Sequence, residues 1–322
     1  MPMPVAVSHG LVPFQYVNEW DNASLLEIQN DKNFLRKRHV PSPVCEERVE
    51  KFEDFKRQFM ADDLGLAFRG QVDKADWHLQ STLSRRRIEH LRQQSPFLYG
   101  GQHYLLSLAE NYFDKDLPSP SEDQLLSVMQ HYGVPTRLLD WTEKINVALF
   151  FAVKSNQENR DRPMVLYICD IGKLHFLNYT AWQALNRGKT ETGRPPDPKT
   201  VFSAVQAFHE NTWSFFQTPN FWDLRINAQR SVFALQGSQM VCPLDKFLES
   251  PSAVNGIEFN GIAAPAGTLM KVTLPASEST AVSTYLNEAG VTQEKLFPEW
   301  KSLCEKLKEE YNKYLREPGY ML

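Results

Sequence analysis

The alternation of apolar and polar positions is most informative from Gln130 to Val153, QHYGVPTRLLDWTEKINVALFFAV. Ser119-Pro120-Ser121-Glu122 supplies a cap, a proline at the first helical position and an acid after it, so it predicts a helix start. Leu125, Leu126, Met129 and Tyr132 then form one helical face. Gly133 is the expected left-handed terminus, and Pro135 keeps the helix from resuming. Leu138 and Leu139 predict a short buried strand whose polar end is Asp140, Trp141 and Thr142. Asp140 followed by Glu143 has the spacing of a capping box, and Ile145, Ala148, Leu149 and Ala152 recur as one buried helical face. A strand that ends in Asp-Trp-Thr and turns at once into a core helix sets polar groups at the mouth of a cleft.

The same reading extends along the chain. Residues 1–45 show prolines and little periodicity, and predict an arm anchored by Phe14, Tyr16 and Trp20. From Glu46, the spacing of Val49, Phe52, Phe55 and Phe59 predicts a covering helix. Leu64 to Arg69 predicts a strand, ended by Gly70 where the backbone turns or a ligand comes close. Strands are also expected at Met164–Cys169, Ser231–Gln236 and Thr268–Leu274, and a helix at Ser279–Ala289 closed by Gly290. Residues 187–199 read as a loop, residues 208–224 are rich in aromatics, and a last helix starts at Pro298. These elements predict a mixed α/β (α+β) fold in three parts. Residues 1–60 form the arm and covering helix, 61–240 the core, and 241–322 a C-terminal strand and helical extension.

Composition narrows the function classes. The chain of 322 residues is 42% hydrophobic and 12% aromatic, ample for a sizeable core. A net charge of −4 argues against wholesale polyanion binding and leaves room for a local basic patch. Arg85, Arg86, Arg87 and Arg92 form such a run, read either as a solvated face or as contacts to nucleic-acid phosphates. Cys45, Cys169, Cys242 and Cys304 lack metal-ligand spacing and read as reduced, mostly buried thiols. No apolar run is long enough to span a bilayer, so no membrane association and a cytoplasmic location are expected.

Phe68-Arg69-Gly70, the Pro135-Thr136-Arg137-Leu138-Leu139-Asp140-Trp141-Thr142 run, Arg225-Ile226-Asn227-Ala228-Gln229, Val232-Phe233 and Leu296-Phe297-Pro298 together resemble the FRG-domain family. The order of the same landmarks is similar, more distantly, to the ADP-ribosyltransferase superfamily. An aromatic-Arg-Gly strand comes first, then a hydroxyl-bearing strand end, a helix rich in small and aromatic residues, and a later acid. That second resemblance implies a split-sheet core, NAD as substrate and transfer of ADP-ribose to a macromolecule; the Arg85–Arg87 run with Arg92 favours nucleic acid over protein as that acceptor. The resemblance further implies a toxin-like or phage-defence effector with a cognate antitoxin as partner.

Carried onto this chain, the resemblance makes Arg69, Thr142, Gln229 and Asp140 candidate catalytic residues. Arg69, Gly70, Arg137, Trp141 and Thr142 are the candidates for holding NAD. An arginine fork can bind phosphate or ribose oxygens at two points, a hydroxyl can hold a ribose, and an aromatic face can stack on nicotinamide. Gln229 stands where the superfamily has Glu. An amide can bond the ribose but cannot neutralise a developing cation, so either Asp140, Glu210 or Asp223 supplies the charge or activity is weak or absent. The structural alternatives are specific: Arg69 as a tie between loops, Asp140 as a helix cap, Trp141 as core, and Arg137 as a residue that orients Asp140. Two other function classes stand beside the transferase. One is a module that binds NAD or a related nucleotide without chemistry; the other is a nucleic-acid binder using the arginine run with residues 208–224.

Overall fold

The computed structural model describes residues 42–60, 65–74, 78–85, 126–127, 129–130, 133–158, 162–178, 212–216, 224–237, 242–250 and 263–298. Among them, seven strands form one sheet: β1 (Val44–Arg48), β2 (Leu66–Val72), β3 (Leu138–Thr142), β4 (Met164–Asp170), β5 (Trp213–Phe216), β6 (Ser231–Gln236) and β7 (Leu269–Leu274). Their order is β1-β7-β4-β2-β3-β6-β5, with β1 parallel to β7 and every other pair antiparallel. The helices include α1 (Phe52–Phe59), α2 (Ile145–Glu158), α3 (residues 171–178), α4 (Leu224–Gln229), α5 (Leu244–Glu249), α6 (Ser279–Glu288) and α7 (Gln293–Leu296). The fold is mixed α/β, and strands from residues 44–48 and 269–274, which lie outside the segment read from sequence as the core, together extend one edge of its sheet.

Strand alternation sends successive side chains to opposite faces, and each face has its own core. One core joins Phe52, Phe55 and Phe59 of α1, Ala148, Leu149 and Ala152 of α2, and Val282 and Leu286 of α6 to Leu66, Phe68, Leu166, Ile168 and Met270 of the sheet. The other packs Leu174 and Leu177 of α3 and Leu244, Phe247 and Leu248 of α5 against Ala67, Leu139, Trp141, Trp213, Phe215 and Val232. A sheet covered on both sides in this way is a three-layer arrangement.

Several boundaries differ from expectation. Residues 44–48 are a strand because β7 pairs with them in full register, and the covering helix begins only at Phe52. β2 runs straight through Gly70 to Val72. The reason is the crossing of α2: a Cβ on Gly70 would sit 2.8 Å from the Ala152 nitrogen and closer still to the Ala148 carbonyl. The close approach that sequence reasoning assigned to a ligand or a turn is made by this helix. Asp140 and Thr142 stay within β3, paired to Phe233 and Ser231, so Asp140 caps no helix. Glu143 instead forms an ion pair with Arg230 at 3.0 Å. Gly133 and Gly290 take left-handed φ values of 78° and 69°, as their helix-terminal spacing predicts. Of the arm only residues 42–45 are described, and of the helix opened at Ser119 only residues 126–127 and 129–130, which are helical with Leu126 and Met129 buried; the 187–199 loop and the helix from Pro298 onward lie outside the described residues, save Pro298 itself.

Candidate functional site

The sheet has a seam. β2 pairs with β4 along its whole length, and β3 pairs likewise with β6. Between β2 and β3, however, only Phe68 and Thr142 are in register. Continued pairing would set Gly70 opposite Asp140 and Val72 opposite Leu138; neither pair forms, so the two strands diverge. Arg69 spans the gap. Its Nη1 donates to the Asp140 carbonyl oxygen at 2.7 Å and its Nε donates to Gln71 Oε1 at 3.3 Å.

A cleft of about 370 Å³ opens at this seam. Its walls come from β2, β3, the outer row of α2, α4 and Phe297 just after α7. Ala148, Phe151, Lys154, Ser155 and Glu158 line it because helical periodicity returns them to one side of α2. Arg225 and Gln229, four residues apart, share a face of α4 for the same reason. The cleft thus presents three cations (Arg69, Lys154, Arg225), two carboxylates (Asp140, Glu158) and the aromatic rings of Phe151 and Phe297. Burial pulls the Arg69 guanidinium below its ordinary value; Asp140 opposes that shift and the nearby Arg85 adds to it. Asp140 accepts from Gln130 Nε2 at 2.9 Å, whereas Glu158 has no hydrogen bond or ion pair to any described residue.

Six of the residues proposed from sequence line this cleft: Arg69, Gly70, Asp140, Trp141, Thr142 and Gln229. Their local bonding differs from the expected roles. Thr142 Oγ1 donates to the Gln229 carbonyl at 2.6 Å and accepts from the Lys144 amide at 3.1 Å, so its proton is committed to the fold. Gln229 sits at the end of α4 rather than on a strand, and its Nε2 donates to the Leu296 carbonyl at 3.0 Å. Trp141 is 3% exposed and meets Phe215 edge-on at 5.3 Å between ring centres, which makes it core and not an open stacking face. Gly70 admits α2, not a cofactor. Arg137 lies at the other end of β3, where its backbone and Nη1 bond Gln236, and it is not part of the cleft wall.

Of the arginine run, Arg85 folds back to donate twice to the Gln80 carbonyl, at 3.2 and 2.9 Å. Arg86, Arg87 and Arg92 lie outside the described residues. Trp213 and Phe215 of the aromatic-rich segment are buried, which removes these two as stacking surfaces. Sequence reasoning missed Lys154, Glu158, Phe151, Arg225 and Phe297 as site residues. The signals were present: the α2 periodicity continues past Ala152, and Arg225 and Phe297 sit inside the short motifs already noted.

The segment that supplies β2, β3, the seam and all of α2 is also the one that matches a known family. Residues 65–161 match the family model of the FRG domain. The chain carries an FRG domain. No curated protein and no solved structure matches the chain. Within the FRG domain, Phe68 belongs to the core, Arg69 bridges the diverging strands and Gly70 seats α2. Arg225, Gln229 and Phe297 lie beyond the matched residues, so the FRG domain forms the floor of the cleft and later elements close it. Among the described residues there is no cluster of metal-ligating side chains, and no helix is long and apolar enough to cross a membrane.

Proposed function

We propose that the cleft binds NAD and transfers its ADP-ribose to a macromolecule. The observation that carries this reading is the gathering of Arg69, Lys154 and Arg225, with Asp140 and Glu158, around one cleft at the mouth of a split sheet. A pyrophosphate carries two negative charges, and guanidinium and ammonium groups in a partly dry cleft are its natural partners. In the transfer, the bond from the ribose C1′ to the nicotinamide nitrogen breaks. Its electron pair leaves with neutral nicotinamide, a nucleophile on the acceptor bonds C1′, and the acceptor's proton passes to a carboxylate or to water. A carboxylate beside C1′ stabilises the developing positive charge. Glu158 is the better placed of the two acids, because Asp140 already accepts from Gln130. Glu210 and Asp223 lie outside the described residues.

A second reading is a module that binds the nucleotide without chemistry. It is favoured by the commitment of the Thr142 hydroxyl and the Gln229 amide to protein carbonyls. Incubation of the purified protein with NAD separates the two readings. Release of nicotinamide, with ADP-ribose found by mass spectrometry on added RNA, DNA or protein, supports the transferase. NAD binding with no nicotinamide release leaves the binding module, and no binding at all rejects both.

A further inference from the structure

Two of the three cleft cations are held by one ring. Lys154 Nζ lies over Phe297 at 4.9 Å from the ring centre, and the Arg225 guanidinium carbon lies over the same ring at 5.0 Å. These side chains come from different helices, α2 and α4, and both carry long flexible stems that cost conformational entropy to fix. Phe297 itself is 7% exposed and is wedged against Phe150 and Phe151, at 6.5 and 6.1 Å between ring centres. Its backbone is anchored to α7, the Phe297 amide donating to the Gln293 carbonyl at 2.9 Å. The Leu296 carbonyl accepts from Gln229 at 3.0 Å, and Gln293 Oε1 accepts from Lys154 Nζ at 3.4 Å. The ring is therefore a fixed object, and the two cations are oriented by it.

We propose that Phe297 is a positioning residue that sets Lys154 and Arg225 as a matched pair of grips for a pyrophosphate group. This rests on the reading of the cleft as a site for a phosphorylated nucleotide. The ring's negative face holds each cation without neutralising it, unlike a carboxylate partner. An acid in the same place would compete with the ligand. Because the ring reaches Lys154 from the FRG domain and Arg225 from beyond it, Phe297 also couples the two parts of the cleft that the sequence keeps far apart.

The test is calorimetric binding of inorganic pyrophosphate and of ADP-ribose to the full chain and to Phe297→Leu, Phe297→Tyr and Lys154→Met variants. Leu keeps apolar bulk and removes the π face; Tyr keeps the face. Phe297→Leu should weaken both ligands about tenfold, the scale of a partly desolvated cation–π contact, and Phe297→Tyr should restore most of the loss. Combined with Lys154→Met, Phe297→Leu should cost clearly less than it does alone, a coupling that a merely structural role would not produce. Equal binding by the parent and Phe297→Leu overturns the proposal and leaves the cleft reading in place. Additive losses, or no rescue by Tyr in a variant that melts like the parent, overturn it as well. A parent chain that binds neither pyrophosphate nor ADP-ribose rejects the cleft reading and the positioning role with it.

Discussion

A single methyl group at Gly70 would collide with the backbone of α2 at Ala148 and Ala152, groups that cannot rotate away. Gly70→Ala is therefore expected to cost about 3 kcal/mol or more, as overpacking of rigid cores does. For a domain of this size that lowers the melting temperature by about 6–12 °C, measurable by calorimetry or circular dichroism. Arg69 pins the diverging strands and also lines the cleft. Losing its bond to the Asp140 carbonyl should cost roughly 1.5–3 kcal/mol, the range for a charge-assisted bond, and should also remove nucleotide binding. Sequence reasoning set a scaffold role and a ligand role against each other; a residue that spans a gap in the sheet beside a cleft can fill both. An Arg69→Ala protein that melts like the parent would rule out the scaffold part. Glu158 can be separated from binding, because it holds nothing else among the described residues. Glu158→Gln should leave NAD affinity within about threefold and lower nicotinamide release by about 100-fold or more, the usual scale for loss of a charge-stabilising group. Unchanged release would pass the role to Asp140.

Elements with strong periodicity could be read from the chain directly. β4, β6, β7 and α6 fall within a residue or so of their expected limits, because each carries enough apolar positions to define its own face. β1 did not: Val44, Cys45 and Glu46 give little alternation, and the strand exists because β7 offers a parallel edge. Asp140 and Glu143 satisfied the pattern of a capping box, yet five consecutive pairs with β6 outweigh one cap. The cleft was half legible for a related reason. Residues on the strands could be placed by motif, whereas Lys154, Arg225 and Phe297 meet only once three helices have docked. α3 carries a consequence of docking that can be titrated. Burial lowers the pKa of His175 to about 4, against opposing pulls from a backbone bond with Phe215 and from Asp170. The unfolded chain, with an ordinary histidine value near 6.5, binds that proton first as pH falls, so stability is complete above 6.5 and is lost on the way down to about 4. The slope should reach about 1.4 kcal/mol per pH unit in that window. Denaturant unfolding at pH 7, 6 and 5 should show it, and His175→Gln should flatten it.

At the scale of the molecule, the FRG domain match and the sheet have different limits. Residues 65–161 contain β2, β3 and α2 but not β4 or β6, which supply nearly all the strand partners of that segment. Expressed alone, 65–161 should show no cooperative thermal transition and little dispersion of its amide NMR signals, since one bridge between β2 and β3 cannot hold a sheet together. A chain of residues 42–298 should melt cooperatively; a folded 65–161 fragment would mean that the core on the α2 face suffices. The seam also sets the mechanics of the whole protein. Four strands, β1-β7-β4-β2, lie on one side of it and three, β3-β6-β5, on the other, stitched at Phe68 and Thr142 and pinned by Arg69. Two stiff plates joined along so short a line have one soft angle between them, and the cleft sits inside that angle. A ligand that touches both plates acts as a brace. Its arrival should slow amide exchange at Gly70, Gln71 and Asp140 far more than at the plate centres, so the molecule would register occupancy as stiffness.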